Sequence, residues 1–342
     1  MKLINAFLFV ALILGLSACG HNVSMETTVN EDGSLDKTIV LETEDTTKNF
    51  LGISSERGWK MKTHMIDSAN NKSETNKKWS VVFKKNFTSP EEANTELATP
   101  NDTLFRVSST FDKKFRWFYT YLYYADTYKT INRMAFPPDD YIAREDYAFI
   151  DRLPADGQTI SKADSFYLSE LNKRIFDVYG LRAIYEAYYD LDVKLIKESG
   201  LENRWIDTLN NHKESLYALL VKQQDLPDDF MYKTMDSLGI PFPFDKMENR
   251  YAELYRQMDA KTNFISHASE GKYTLVINMP WTVVRTNADS VSGNRLQWNP
   301  PSIKFLLKDY TMYAEARKLN LWAFAVSAVV LFFTGYLFWR RR

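Results

Sequence analysis

The chain has 342 residues, of which 45% are hydrophobic and 15% aromatic, and its 43 Lys and Arg nearly balance 44 Asp and Glu for a formal charge of −1. That apolar content excludes a disordered tether. The balanced charge leaves no electrostatic footprint for nucleic acid, so no nucleic-acid partner is expected.

The first element in chain order is an export signal. Met1-Lys2 precede an apolar run from Ile4 to Leu16, which ends in Leu16-Ser17-Ala18-Cys19. A charged start, an apolar stretch of about a dozen residues and small residues before a cleavage point describe a secretory signal peptide over residues 1–18. Cys19 is the only cysteine, so no disulfide framework accounts for it. Ser17-Ala18-Cys19 resembles the lipobox of bacterial lipoproteins. The resemblance implies a lipid on the Cys19 sulfur and a mature chain that starts there. Gly20 to Ser24 lack the acidic run of surface-exported Bacteroidetes lipoproteins, which fits a periplasm-facing protein.

Residues 19–130 read as a β-rich part. Val23 to Leu41 alternates in polarity and is split by Asn30-Glu31-Asp32-Gly33-Ser34, an Asp-Gly hairpin signal. Further strands are predicted at Trp79–Phe87, Leu104–Phe111 and Lys114–Tyr124. In the last, Phe115, Trp117, Tyr119, Tyr121 and Tyr123 share one parity, with Phe118 and Tyr124 on the other. This is a strand buried on one face, and a contact surface if its second face is open. Ser68–Lys78 and Ser89–Asp102 read as loops.

Residues 131–265 read as helical. A first helix runs from Thr159 to Gly200, opened by a Ser161/Asp164 capping box. Its apolar stripe is Leu168, Leu171, Ile175, Val178, Tyr185, Tyr189, Val193 and Ile196. Glu186, Asp190, Asp192 and Lys194 form a charged face turned to solvent. A second helix is predicted over Glu202–Gln224. A third opens at Pro227 and stops at Gly239-Ile240-Pro241, and a fourth covers Asp245–Lys261. Residues 266–318 return to strand at Tyr273–Met279, Thr282–Thr286, Arg295–Trp298 and Ser302–Leu307. Sheet segments flanking a long helical middle predict an α+β fold, with the N- and C-terminal parts pairing in one antiparallel sheet.

The last element, residues 319–339, is a transmembrane helix. Leu321 to Trp339 holds no charge, and a helix of that length spans a hydrocarbon core of about 30 Å. Trp322 near one end, with Tyr336 and Trp339 near the other, form aromatic belts. Arg340, Arg341 and Arg342 make a positive cluster that marks a cytoplasmic tail, residues 340–342. With a lipid at Cys19, the topology is a bacterial inner-membrane protein whose soluble region lies in the periplasm. Ala323, Ala325, Ser327, Ala328, Thr334 and Gly335 offer small residues for packing against another membrane helix.

One family resemblance rests on the C-terminal strands. Tyr273 to Pro280, then Thr286-Asn287-Ala288, Gly293-Asn294 and Leu296 to Trp298 resemble the strand, Pro, Thr-Asn-Ala, Gly-Asn, strand-Trp order of LppM-type bacterial lipoprotein domains. The Asn30 to Gly33 turn soon after Cys19 matches the opening of that pattern. The resemblance implies an α+β envelope lipoprotein followed by a membrane helix. It implies no catalytic residue, and it leaves the long helical middle uncovered.

Catalytic chemistry finds little support. His21, His64, His212 and His267 stand in no metal-ligand spacing, and neither a nucleophile elbow nor a phosphate loop is present. Asp139-Asp140 and Asp228-Asp229 each follow proline as solvated turns do. Asn30, Glu31 and Asp32 could hold calcium, although the hairpin turn accounts for them. No catalytic, cofactor or metal site is expected. Asp45-Thr46-Thr47, Asp67-Ser68-Ala69, Asp102-Thr103-Leu104 and Asp289-Ser290-Val291 resemble the O-glycosylation acceptors of Bacteroidetes, with Thr46, Ser68, Thr103 and Ser290 as the acceptors. Asp207-Thr208-Leu209 and Asp236-Ser237-Leu238 match the same triplet from within or beside helices. Good turns and caps explain the same pairs equally well. The leading expectation is a non-enzymatic envelope protein that contacts a protein, lipid or glycan. The alternatives are a subunit of a membrane complex and an enzyme acting on envelope polymers.

Overall fold

The computed structural model describes residues 22–43, 53–66, 78–223 and 230–341. The signal peptide, Cys19, His21, Thr46, Ser68, Pro227 and Asp228-Asp229 lie outside the described residues. The chain divides into a helical unit, drawn from Ile131–Pro154 and Gln158–Glu270, and a sheet unit from the flanking parts.

Among the described residues, the sheet unit contains two sheets. The larger uses β1 (Asn22–Val29), β2 (Leu35–Thr43), β3 (Lys60–Ile66), β4 (Lys78–Phe87), β7 (Lys272–Asn278), β9 (Ser290–Ser292) and β10 (Arg295–Trp298), in the order β3-β4-β2-β1-β7-β10-β9. The smaller runs β5 (Val107–Phe115), β6 (Tyr119–Tyr128), β11 (Tyr310–Leu319) and β8 (Thr282–Thr286). The two ends of the soluble region do share a sheet, as the α+β reading requires. The pairing differs from expectation, because β1 and β7 run parallel, from Asn22 opposite Lys272 to Thr28 opposite Asn278. A parallel pair needs a long connection, and everything between β1 and β7 supplies it. The larger sheet is therefore mixed, and a second sheet stands beside it.

Alternation decides the faces. Val23, Met25, Thr27 and Val29 of β1 are buried, as are Leu35, Lys37, Ile39, Leu41 and Thr43 of β2. The smaller sheet buries Leu122, Tyr124, Asp126 and Tyr128 of β6 and Met312, Ala314 and Ala316 of β11. Phe305 sits in the core with ring centroids 4.8 Å from Tyr273 and 5.9 Å from Phe105. The β1–β2 turn closes through Gly33 at φ +94°, a left-handed conformation that favours glycine, and Asp32 Oδ1 accepts from Ser34 N at 3.0 Å.

Several predicted elements are corrected. β5 and β6 meet at Trp117-Phe118 rather than near Asp112, closed by Arg116 N to Tyr119 O at 2.7 Å and Tyr119 N to Arg116 O at 3.1 Å. The turn carries no Gly, Pro or Asn, so nothing in its composition marked it. The stretch read as a loop after Ser89 contains α1 (Pro90–Leu97), whose first turn is capped by Ser89 Oγ accepting from Glu92 N. Ser-Pro-Glu-Glu is an N-cap, a proline at the first position and acidic residues at the positive end of the dipole. Ser302–Phe305 is a 3₁₀ turn after two prolines, not a strand. β3 and β11 were not foreseen. β3 is an exposed edge, and β11 places alanines inward where an apolar pattern is faint.

The helical unit holds α2 (Arg144–Arg152), α3 (Lys162–Lys173), a π-helical segment (Arg174–Gly180), α4 (Leu181–Glu198), α5 (Arg204–Gln223), α6 (Phe230–Ser237) and α7 (Phe244–Glu270). Its core gathers Tyr185, Tyr189, Leu195, Leu209, Leu220, Met235 and Leu254. Ser161 Oγ accepts from Asp164 N at 3.0 Å, as the capping box predicts. The π segment shifts the register. Val178 of the predicted stripe is therefore exposed, and Tyr179 is buried in its place. α7 continues past Lys261 to Glu270.

Candidate membrane-interface site

The sheet unit ends in α8 (Leu321–Arg340), a helix long and apolar enough to cross a membrane and exposed along nearly its whole length. Only Asn320 separates it from β11. Asn320 is almost fully buried and fastens the start of the helix to the tip of the β5–β6 hairpin. Its backbone N–H donates to Phe118 O at 2.9 Å. Its side-chain amide donates to Arg116 O at 2.9 Å and Trp117 O at 3.2 Å, and its side-chain carbonyl accepts from Thr120 Oγ1 at 2.9 Å. Helix, strand and hairpin are thus one hydrogen-bonded joint rather than a domain on a linker.

Aromatic rings surround this joint. Phe115 stacks on Trp322 with centroids 6.0 Å apart and planes 7° apart, and Trp117 meets Trp322 edge-on at 5.3 Å. Phe118 packs on Phe324 at 4.7 Å. Trp117 Nε1 donates to Ser327 Oγ at 2.9 Å, and Ala323 is fully buried. The rings nonetheless stay open, with Phe115 57%, Trp117 47% and Trp322 52% exposed. Large rings exposed side by side are unusual on a water-facing surface, whereas amphipathic aromatics favour a membrane–water boundary.

The predicted aromatic strand is therefore two things. Tyr124 belongs to the core, while Phe115, Trp117 and Phe118 form the exposed tip. Between them, Tyr119, Tyr121 and Tyr123 line the outer face of the smaller sheet, half-buried. On that face Tyr123 stacks with Tyr313 at 6.1 Å, Arg317 lies 4.6 Å from the Tyr119 ring and Arg285 5.7 Å from Tyr313. These cation–π contacts order the outer face.

A polar cluster occupies the interior between the sheets. Lys37 Nζ lies 2.9 Å from Asp126 Oδ2, with the side chains 5% and 1% exposed. The ammonium also donates to Thr27 Oγ1 at 3.0 Å and Tyr124 OH at 3.2 Å. Asp126 accepts from Tyr124 OH at 2.7 Å, Ser109 Oγ at 2.5 Å and Thr27 Oγ1 at 3.2 Å. Burial and the Asp126 carboxylate push the Tyr124 phenol well above its usual range. Lysine, tyrosine, serine and aspartate together resemble catalytic equipment. Here each is bonded to the others, and the adjoining cleft, lined by Thr27, Lys37, Ile39, Phe105 and Tyr128 among others, has room for about one water. The arrangement favours a structural role.

The helical unit holds further acids. Glu186 and Asp192, predicted on a solvent-facing charged face, are buried. Asp192 falls between Tyr189 and Ile196 on the inward stripe, where helical period places it alongside Tyr185. Burial pushes its carboxyl up to about 8, and Tyr255 OH lies 3.4 Å away. Glu186 is bridged by Arg182 at 2.5 Å and Lys213 at 2.6 Å. Arg182 also forks onto Glu214 at 2.8 and 2.7 Å.

The other sequence candidates are scattered. Thr103 is half-buried, and its hydroxyl and N–H both donate to Asn101 Oδ1 at 2.8 Å. Ser290 is exposed at the start of edge strand β9. Thr208 Oγ1 and Ser237 Oγ donate to helix carbonyls. Asp139 and Asp140 are exposed in a turn closed by Tyr141 N to Pro138 O. His64 and His212 are exposed, and His212 Nδ1 lies 2.8 Å from Thr208 O. Glu31 turns to Trp281 Nε1 and Lys318, each at 2.6 Å, and hydrogen bonding by Lys318 lowers its carboxyl from the usual range. Asp32 turns instead to Ser34, so the two acids of the proposed calcium cluster diverge. Among the described residues, no group of three His, Cys, Asp or Glu is placed to hold a metal.

No protein-family model and no curated protein matches the chain. Among solved structures, the folded domain of the Mycobacterium tuberculosis LppM protein matches at 10% identity, over 90% of this chain and 95% of that one, with a TM-score of 0.26. A score that low does not equate the two folds, so the likeness of the Asn30–Gly33 turn and of Tyr273–Trp298 to LppM-type domains stands on those residues alone.

Proposed function

We propose that the protein is a non-enzymatic, membrane-anchored envelope protein whose sheet unit is held at the bilayer surface to bind or scaffold a partner there. One observation carries this reading: Asn320 hydrogen-bonds the start of α8 to Arg116, Trp117 and Phe118, so the apolar helix leaves the domain without a linker. A joint without flexible, solvated linker residues holds the sheet unit close to the start of the helix. The outer face of β6 and β11, with its tyrosines and arginines, is the surface offered to a partner protein, lipid or glycan. Lipidation at Cys19, export through residues 1–18 and a cytoplasmic position for Arg340 to Arg342 belong to the same proposal. They place the protein in the inner membrane with its soluble region in the periplasm. O-glycosylation at Thr46, Ser68, Thr103 and Ser290 is a separate expectation. Ser290 is the more accessible of the two described acceptors.

A second reading is a subunit of a membrane complex packed through α8. Ala323 is buried and Ser327 Oγ is bonded to Trp117 of the hairpin, which leaves Ala325, Ala328, Thr334 and Gly335 for a partner helix. The experiment is alkaline extraction of membranes from cells making the full chain, with impermeant maleimide labelling of Ser290→Cys and Arg341→Cys in a Cys19→Ser background. The proposal expects a membrane-retained protein labelled at 290 from outside and at 341 only after permeabilisation. Release by alkali, or the reverse labelling, contradicts it.

A further inference from the structure

We infer that the tip of the β5–β6 hairpin, Trp117-Phe118, enters the lipid beside α8, so that the protein meets the bilayer through a two-part foot. The inference rests on the reading of α8 as a membrane span.

Lengths carry the first step. α8 has 20 residues, and at about 1.5 Å per residue it is only just as long as a hydrocarbon core of about 30 Å is thick. The hydrocarbon must then begin near Leu321. Phe118 packs on Phe324 and the Trp117 indole bonds Ser327, which places these rings about 4–9 Å along the helix from Leu321. Raising the helix until both rings stood in water would leave about 20 Å of it to cross about 30 Å of hydrocarbon.

Polar satisfaction carries the second step. Backbone entering lipid must have its hydrogen bonds met within the protein. The carbonyls of Arg116, Trp117 and Phe118 all accept from Asn320, Arg116 O also accepts from Tyr119 N, and the Trp117 indole N–H is taken by Ser327. The three carbonyls of the turn and the indole N–H therefore find partners within the protein and need none from water. Phe115, Trp117, Phe118 and Trp322 are exposed at this point, and the exposed Lys114 and Arg116 lie among them in the sequence. Long cationic side chains beside apolar rings can reach back to lipid phosphates. Apolar rings inside, cations at the rim and internally bonded carbonyls together fit a bilayer interface better than a water-facing turn or a protein groove.

The test uses the full chain with Cys19→Ser, reconstituted in vesicles of phosphatidylcholine and phosphatidylglycerol. Nitroxide is attached at Phe118→Cys, Val329→Cys or Thr110→Cys, and collision with oxygen is compared with collision with a water-soluble nickel complex. The 118 label is expected to behave like the 329 label, oxygen-accessible and shielded from nickel, with the 110 label open to nickel. A nickel-exposed 118 label beside a shielded 329 label overturns the foot and leaves the span standing. Nickel exposure at both overturns the span and the foot together. A check without labels compares quenching by dibrominated phosphatidylcholine in the unsubstituted chain and in Trp117→Phe. The quenched share of emission should fall in the variant, and an unchanged share contradicts the inference.

Discussion

The two ends of the β5–β6 hairpin invert the ordinary distribution of side chains. At one end Ser109, Tyr124 and Asp126 bury polar atoms around Lys37, between two sheets. At the other, Phe115, Trp117 and Phe118 expose aromatic rings beside Trp322. The first inversion is tolerable because every group named in it is hydrogen-bonded, and a buried charge without such partners is very costly. The second fits the proposed contact with the bilayer. One end therefore describes how the fold specifies itself, and the other describes where the protein sits.

Substitutions can break this contrast at either end. The largest effect is expected from Asp126→Ala, which strands the Lys37 ammonium in the core and should cost about 3–5 kcal/mol. Denaturant unfolding of the full chain in mild detergent measures it. The double variant Lys37→Met with Asp126→Leu should cost much less, since it removes both charges together. If the single and double variants lose equal stability, the cluster is not acting as a paired unit.

The helical unit supplies a control, because Asp192 is buried against the Tyr255 hydroxyl rather than a cation. Its carboxyl stands at about 8 in the fold against an ordinary 3.8. The folded form therefore keeps a proton that the unfolded chain releases across that window, and linkage makes stability fall as pH rises from about 4 to about 8. Asp192→Asn should flatten that slope and be the more stable protein at pH 8, by on the order of a few kcal/mol. Unfolding curves at pH 5 and pH 8 decide the matter, and a slope unchanged in the variant would assign the pH dependence elsewhere.

Smaller effects sharpen the membrane end. Asn320→Ala removes the side-chain bonds to Arg116, Trp117 and Thr120 and should cost about 1–3 kcal/mol. The visible result is faster amide exchange at residues 116–120, with the rest of the sheet unit little changed. Gly33→Ala should cost about 1–2 kcal/mol, because it forces a side chain into a left-handed turn. Its Cβ would also lie 3.2 Å from the Phe111 ring. That turn sets the register of β1 against β2, which keeps Lys37 on the inner face. A thermal melt of Gly33→Ala no different from the parent would show that the register is held by other contacts.

Much of this architecture was legible in the amino-acid order. The Asn-Glu-Asp-Gly turn, the Ser161/Asp164 cap, the stop at Gly200 and the uncharged run after Asn320 each carry a local physical signal. The return of the C-terminal strands to the first sheet also followed from apolar patterning. The corrected elements had weaker or misleading signals. The Trp117-Phe118 turn reads as strand because its residues are apolar, which the proposed lipid contact accounts for. The π segment moved Val178 outward by inserting a residue that no periodicity announces. The buried cluster did leave a trace: Lys37 shares its parity with Leu35, Ile39 and Leu41, and Asp126 with Leu122 and Tyr128. A charge in an otherwise apolar register marks a buried polar group that needs a partner, and Lys37 and Asp126 are two such positions. Asn320 left no trace, since one asparagine before an apolar run is ordinary until its partners are known.

The central claim is that α8 and the hairpin form one rigid body at the membrane, and the most direct test is a distance distribution in lipid. Spin labels at Lys114→Cys and Val330→Cys, in a Cys19→Ser background reconstituted in vesicles, report the separation of the hairpin and the helix by pulsed electron resonance. The account predicts a single narrow distribution that broadens when Asn320→Ala is added. A broad distribution in the parent, unchanged by Asn320→Ala, would mean that the domain swings freely on its helix and would contradict the account.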